Sequence, residues 1–329
     1  MKLTNEQILE CAVGSVNTVI TEQGIKFNKC TDKQISAFTA LNQALGQRAA
    51  ATTGIRLDFH TNSSKLSFSA SMGTKFDVAV DGLLVAQFNM KEQREAGTHA
   101  CLELTSPLDK KAGEEVRVTI YFPSHDEPGM IDFIELDDRA SFSPHKFDKK
   151  FLFIGDSITQ GWNTKYDSLS FALLLSELWN AESVVNGVGG AYFHETVFDS
   201  VSFDPDVVFV AYGTNDYGHF KTLDELKYHA ESFFDKIKDE YLDKGKKVIY
   251  ISPIVRKDRA VDKSMGSFAS LRSLLTDLAT ERGFHHIDGL SLVPPVFSDM
   301  FADALHPNMP GFLYYTVSLL AKTSSIINK

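Results

Sequence analysis

The chain has 329 residues, 43% hydrophobic and 23% charged, an ordinary globular composition that excludes disordered, collagen-like and disulfide-framework classes and suffices for two domains or one elaborated domain. Its 33 Lys and Arg against 43 Asp and Glu leave a formal charge of −10, which argues against nucleic acid or an anionic membrane surface as partner. Cys11, Cys30 and Cys101 are odd in number and widely spaced, so neither a disulfide framework nor a paired zinc-ligand pattern is available.

In chain order, Glu6 and Glu10 stand where a signal peptide needs an uninterrupted apolar run, and no later stretch approaches a membrane span. A cytoplasmic protein with no membrane partner is therefore expected. From about Ser15 to Leu136 the apolar residues alternate in short runs: Ile55-Leu57-Phe59, Leu66-Phe68-Ala70, Phe76-Val78-Val80, Val116-Val118-Ile120 and Ile131-Phe133. Such alternation predicts half-buried strands. Asp81-Gly82, between Val80 and Leu83, is the signature of a two-residue hairpin turn. One helix near Ile35 to Leu45 interrupts the series. Antiparallel strands without alternating helices predict an all-β sandwich over residues 1–140.

The segment Asp137 to Lys150 is polar, contains Pro144 and lacks a sustained period, so the connection between the two domains is placed there. The loop His125-Asp126-Glu127 before it is expected to be solvated. Over residues 141–329, short apolar runs at Phe151–Ile154, Ser183–Asn186, Val207–Ala211, Val248–Ile251 and Phe284–Ile287 alternate with amphipathic stretches. Among these, Leu226, Ala230, Phe233, Phe234 and Ile237 fall on one helical face behind a Thr222/Glu225 capping box. The pattern predicts a parallel sheet with crossover helices, a three-layer α/β/α domain whose site lies at the carboxyl ends of the strands. His285-His286 falls within a strand, whose alternating faces separate the two rings.

Four blocks stand at those strand ends. Gly155-Asp156-Ser157 exposes a hydroxyl where the first strand turns into a helix, and Thr159 breaks the G-x-S-x-G nucleophile elbow of an α/β-hydrolase. Asn186-Gly187-Val188-Gly189-Gly190 and Gly213-Thr214-Asn215-Asp216 offer backbone N–H groups and a side-chain amide. Near the C-terminus, Asp303-Ala304-Leu305-His306 places a carboxylate three residues before an imidazole, with Asp299 as a second candidate carboxylate. Together they supply a nucleophile, a base, an orienting carboxylate and oxyanion donors, the parts required for acyl transfer.

These blocks, in this order, resemble the SGNH (GDSL) hydrolase superfamily from Phe151 to the C-terminus. The resemblance implies a flavodoxin-like sheet, Ser157 as nucleophile, His306 as base and Asp303 as orienting group, with no cofactor and no metal. It also implies an oxyanion hole made by Ser157, Gly190 and Asn215. The second block is one residue shorter than the commoner N-x-G-x-G-G form, which leaves Gly189 as the alternative donor.

A jelly-roll-like β-sandwich preceding such a domain is similar to two-domain carbohydrate O-acetyl esterases. By that analogy the expected activity is a serine esterase removing acetyl groups from xylan- or mannan-derived oligosaccharides through an acyl-enzyme. Trp162, Tyr192, Tyr217 and His219 are the expected substrate-binding residues, aromatic faces on which sugar rings could stack. The alternative activity is a short-chain esterase or thioesterase acting on lipid, aryl or coenzyme esters. The sequence is compatible with a monomer or a homo-oligomer.

Overall fold

The computed structural model describes residues 1–108, 110–111 and 113–328. The N-terminal region forms two antiparallel sheets. In one, the strands run in the order Ala12–Val13, Arg56–Thr61, Val116–Tyr121, Lys75–Val80 and Leu83–Asn89, with Ser143–Pro144 also paired to Arg56–Thr61. In the other, the order is Asn17–Ile20, Ile25–Asn28, Met130–Leu136, Lys65–Met72 and Ala100–Glu103. Alternation explains the stacking of the two. Leu66, Phe68 and Ala70 from one sheet share a buried core with Val78, Val118 and Ile120 from the other. At the predicted hairpin, Asp81 and Gly82 have φ of 50° and 79°, the pair of positive values that a type I′ turn requires.

The helix predicted near Ile35–Leu45 is two helices, Asp32–Leu41 and Gln43–Ala49. Asn42 divides them: its backbone is extended, and its side chain accepts from the Ala44 N–H at 2.8 Å to start the second. Their apolar face is not spent on the sandwich. Phe38, Leu45 and Ala49, with Cys30, join one buried cluster with Val188, Ala191 and Tyr212 of the C-terminal half.

That half is built on a five-stranded parallel sheet in the order Ala181–Gly187, Lys149–Gly155, Val207–Ala211, Lys247–Ile251 and His285–Ile287. The chain-order sequence 2-1-3-4-5 makes it doubly wound, with a switch point beside the first strand, where ligand crevices form. Helices cover both faces. Leu223–Glu240 buries the predicted stripe from Leu226 to Ile237, and Thr222 with Glu225 forms the predicted capping box. On the opposite face Phe171–Leu178 meets the terminal helix Met309–Ile327, where the Phe171 and Tyr315 rings stack at 4.1 Å. Among the described residues, no helix is long and apolar enough to cross a membrane.

Three cations from the N-terminal region reach the edge strand Ala181–Gly187 and the loop after it. Arg56, fully buried, donates to Ala181 O at 2.9 Å and Ser183 Oγ at 3.1 Å. Lys29, also fully buried, donates to Gly187 O and Thr53 Oγ1, both at 2.8 Å, and burial lowers its ammonium to about 8. Arg48 donates to Gly189 O at 3.0 Å. A buried cation is tolerated only with such partners.

Candidate active site

The first strand ends at Gly155, which has no room for a side chain: a Cβ there would stand 2.1 Å from Thr159 Oγ1 and 2.9 Å from Ala211 O. Asp156 then caps the short helix Ser157–Gln160, its Oδ1 accepting from the Ile158 N–H at 2.9 Å. Ser157 is thereby held at the first helical position, 5% exposed. Its Oγ lies 2.8 Å from His306 Nε2.

The loop carrying His306 is shaped by Asp303. One carboxylate oxygen accepts from the backbone N–H groups of Leu305 and His306, each at 2.7 Å, and the other lies 2.8 Å from His306 Nδ1. With Nδ1 donating to the carboxylate, Nε2 is left as an acceptor facing the serine hydroxyl. Burial works against ionisation of Asp303, but hydrogen bonds from the His306 N–H, its ring and the Leu305 N–H outweigh it and hold the carboxyl below its ordinary value. Asn163 Nδ2 adds a further donor at 3.1 Å. Asp299, the other candidate, is exposed on a separate short helix, where its N–H donates to Val296 O at 3.1 Å and its carbonyl accepts from Asn308 Nδ2 at 2.8 Å, and its carboxylate has no partner among the described residues.

Gly187 and Gly189 press the second block against this helix. A Cβ on Gly187 would meet the Gln160 nitrogen at 2.5 Å, and the Gly189 N–H donates to Gln160 Oε1 at 2.7 Å. That bond occupies the Gly189 N–H and leaves Gly190, at φ 84°, as the N–H of this turn with no partner among the described residues. From the third block, Asn215 Nδ2 donates one proton to Ala191 O at 2.9 Å, which fixes the amide and leaves its second N–H for a ligand. Arg256 steadies the same block through Thr214 O at 2.6 Å and pairs with Asp258.

Of the four expected substrate-binding residues, Trp162 borders the triad: its ring centroid is 6.4 Å from that of His306. Tyr192 and His219 stack on each other at 3.6 Å, so each offers one ring face. Tyr217 is a correction. It is fully buried, its hydroxyl donates to Val261 O at 2.7 Å and its ring packs on Phe268, so it belongs to the core beneath the site. In the loop expected to be solvated, Asp126 and Glu127 are exposed, but His125 is half-buried: it packs edge-on against Trp162 at 4.8 Å, and its carbonyl accepts from Gln160 Nε2 at 2.5 Å. Arg48, whose guanidinium lies 5.2 Å over the Trp162 ring, completes this wall. Neither Arg48 nor His125 was anticipated at the site, because nothing in their local sequence marks a contact with segments so distant in the chain.

His194, Glu195 and His229 gather behind Tyr192, with His229 Nδ1 2.5 Å from the Glu195 carboxylate. The two imidazoles stack at 22°, and one ligand atom from each of the three residues lies within 4.8 Å of the others. The Thr196 N–H and hydroxyl already engage His194 Nδ1, at 3.3 and 2.9 Å.

Beneath Ser157, burial raises the carboxyl of Asp156 to about 7, reinforced by the nearby Asp216 carboxyl. Its folded-state value thus lies above the unfolded value near ~3.9, and between the two the native state holds more protons, so its contribution to stability falls as pH rises. Asn caps a helix as well as Asp does and carries no charge. The gain in melting midpoint of Asp156→Asn over wild type is therefore expected to be larger at pH 8 than at pH 5; an equal gain at both would refute the assignment.

Residues 153–312 match the model of the GDSL-like lipase/acylhydrolase family. No curated protein sequence matches the chain significantly. Among solved structures, it is similar to a salicylyl-acyltransferase from a tetracycline biosynthetic pathway at 15% identity and a TM-score of 0.77, over 96% of this chain and 94% of that one. A family two carbohydrate esterase from Clostridium thermocellum, solved in complex with cellohexaose, is 13% identical with a TM-score of 0.68, over 96% and 99%. One from Cellvibrio japonicus is 16% identical with a TM-score of 0.65, over 97% and 96%. At these identities the likeness is one of fold.

Proposed function

We propose, on the premise that the C-terminal half of the chain belongs to the SGNH (GDSL) hydrolase superfamily and that the protein is an ester-cleaving enzyme, that it removes O-acetyl groups from oligosaccharides through an acyl-enzyme on Ser157. The observation that carries this reading is the hydrogen-bonded chain from Ser157 Oγ through His306 to Asp303, 2.8 Å at each step. His306 takes the serine proton as the oxygen attacks the acetyl carbonyl, and returns it to the departing sugar hydroxyl. The Ser157 and Gly190 N–H groups and the Asn215 amide would receive the developing oxyanion. Water then enters by the same route in reverse and releases acetate.

The site has open space on two sides, each bordered by charged side chains that can hydrogen-bond sugar hydroxyls. A cavity of about 310 Å³ lined by Arg256, Lys257, Asp258, Ala304 and Leu305 opens beside the His306 loop. Another, of about 260 Å³, opens on the far side of His125 and is lined by Lys75, Asp126, Glu127 and Asp167 among others. The test is acetate release from acetylated xylo- and manno-oligosaccharides, with Ser157→Ala as the blank, beside a comparison of acetyl and octanoyl aryl esters. Release by the wild type only, with acetyl preferred, is expected. Preference for octanoyl would replace this reading by the lipid or thioester one.

A further inference from the structure

We infer that Arg48, supplied by the N-terminal region, is a positioning residue for the oxyanion hole: it grips the far end of the peptide group whose N–H is the Gly190 donor. The inference rests on the proposed serine chemistry and extends it to a residue outside the hydrolase domain.

The carbonyl of Gly189 and the N–H of Gly190 belong to one amide, and in a trans peptide they point in opposite directions. All described peptide bonds are trans. Arg48 Nη1 donates to Gly189 O at 3.0 Å. Whatever fixes the direction of that carbonyl also fixes the opposite direction, along which the Gly190 N–H points. The preceding amide is held too, since the Gly189 N–H donates to Gln160 Oε1 at 2.7 Å. Two hydrogen bonds from opposite sides therefore set the orientation of a glycine pair that has no side chains to do so. Glycine is required here by geometry, since Gly190 has φ 84° and a Cβ on it would stand 3.2 Å from Arg48 Nη1.

Arg48 is itself held in place. It leaves the helix Gln43–Ala49, which is anchored by Leu45 and Ala49 in the core of the C-terminal half. Its Nε donates to Asp126 Oδ1 at 2.9 Å, and its guanidinium lies over Trp162. An arginine with two hydrogen bonds and a ring beneath it has few other rotamers open to it. Its charge also contributes. A cationic donor on the carbonyl draws electron density through the amide and makes the opposite N–H a stronger donor, an effect that matters most when an oxyanion forms. The consequence is kinetic: the benefit arises in the transition state, and substrate affinity is unchanged.

The test uses p-nitrophenyl acetate with wild type, Arg48→Ala, Arg48→Lys and Arg48→Met, together with their melting curves. Arg48→Ala is expected to lower kcat roughly 10- to 100-fold with KM unchanged within about twofold, less than the loss of a whole oxyanion donor because the N–H remains but is misdirected. Arg48→Lys, whose ammonium can still donate to Gly189 O, should recover part of kcat, and Arg48→Met should not. Free guanidinium should partly restore Arg48→Ala. An unchanged kcat overturns the inference, as does a loss confined to KM, which would make Arg48 a substrate contact, or a Met variant as active as the Lys one, which would make its role packing. If Arg48→Ala does not fold, the contrast between Lys and Met decides. The rate of labelling of Ser157 by a fluorophosphonate, read by intact mass, depends on the same donors and requires no correct acyl group. A wild type that neither turns over nor labels overturns the esterase reading and this inference with it; an active wild type with an indifferent Arg48→Ala overturns this inference alone.

Discussion

Ser157→Ala is expected to lower turnover roughly 10,000- to 1,000,000-fold, the range seen when a nucleophile acting in concert with its base is removed. No other hydroxyl is hydrogen-bonded to His306 Nε2 among the described residues, so no neighbour can take over the attack. What survives is the catalysis that binding and the oxyanion donors supply without a covalent step. The fold should survive as well. Among the described residues Ser157 Oγ is bonded only to His306, and alanine is well suited to the first turn of a helix, so a melting midpoint within a few degrees of wild type is expected. Acetate release and p-nitrophenyl acetate hydrolysis both measure the loss, and residual activity near wild type would remove Ser157 from the mechanism.

The second large effect is expected from Asp303→Asn, on the order of 100- to 10,000-fold in kcat, because the substitution changes which ring nitrogen carries the proton. The Asn oxygen can keep the Leu305 and His306 backbone N–H groups, both 2.7 Å from one carboxylate oxygen. Its NH₂ then replaces the oxygen that faced His306 Nδ1 at 2.8 Å and presents a donor to that nitrogen. The neutral ring responds by placing its proton on Nε2, where it can no longer accept from Ser157. The loop keeps its shape while the base has the wrong tautomer. Asp303→Ala removes the loop contacts too and should cost stability in addition, whereas His306→Ala should cost at least as much turnover as Asp303→Asn. A kcat for Asp303→Asn within about threefold of wild type would mean that orientation of the ring does not depend on this carboxylate.

The parts of the molecule that were legible in the sequence are those fixed by a residue's own neighbours. Alternation located the sandwich strands because each had one wet face, and Asp81-Gly82 announced its turn because few residues other than Gly and Asp or Asn accept positive φ. The Ser157 and Asn215 blocks were legible because they follow strand ends, where an open parallel sheet presents its ligands, whereas the His306 block, expected at a strand end, lies in the loop before the helix Met309–Ile327 and was legible only from its Asp303/His306 spacing. What stayed hidden depends on pairs of distant segments. Which of the Gly189 and Gly190 N–H groups is already engaged was not legible, because it depends on Gln160 reaching the first of them across the fold. Tyr217 looked like a surface aromatic beside Asn215 because its block is polar, yet the 261–266 loop folds over it and accepts its hydroxyl. His125 sat in a hydrophilic, proline-flanked run and still became a wall of the site, since Trp162 offered its ring a partner. The helix near Ile35 was visible as an apolar stripe, and nothing in a stripe says which of two cores will receive it.

The burial of this helical pair by the C-terminal half bears on how the protein is made. Phe38, Leu45 and Ala49 are buried by residues such as Val188, Ala191 and Tyr212, far later in the chain, and Lys29 and Arg56 find their carbonyls on the strand beginning at Ala181. During synthesis at about 5–20 residues per second, the helical pair waits roughly ten to thirty seconds for its cover to emerge. Throughout that interval the nascent sandwich carries an uncovered apolar hairpin and unpaired cations. A ribosome that stalls before the second half is complete would therefore release a sticky fragment in place of a finished domain, and holding chaperones would have their binding site on this hairpin.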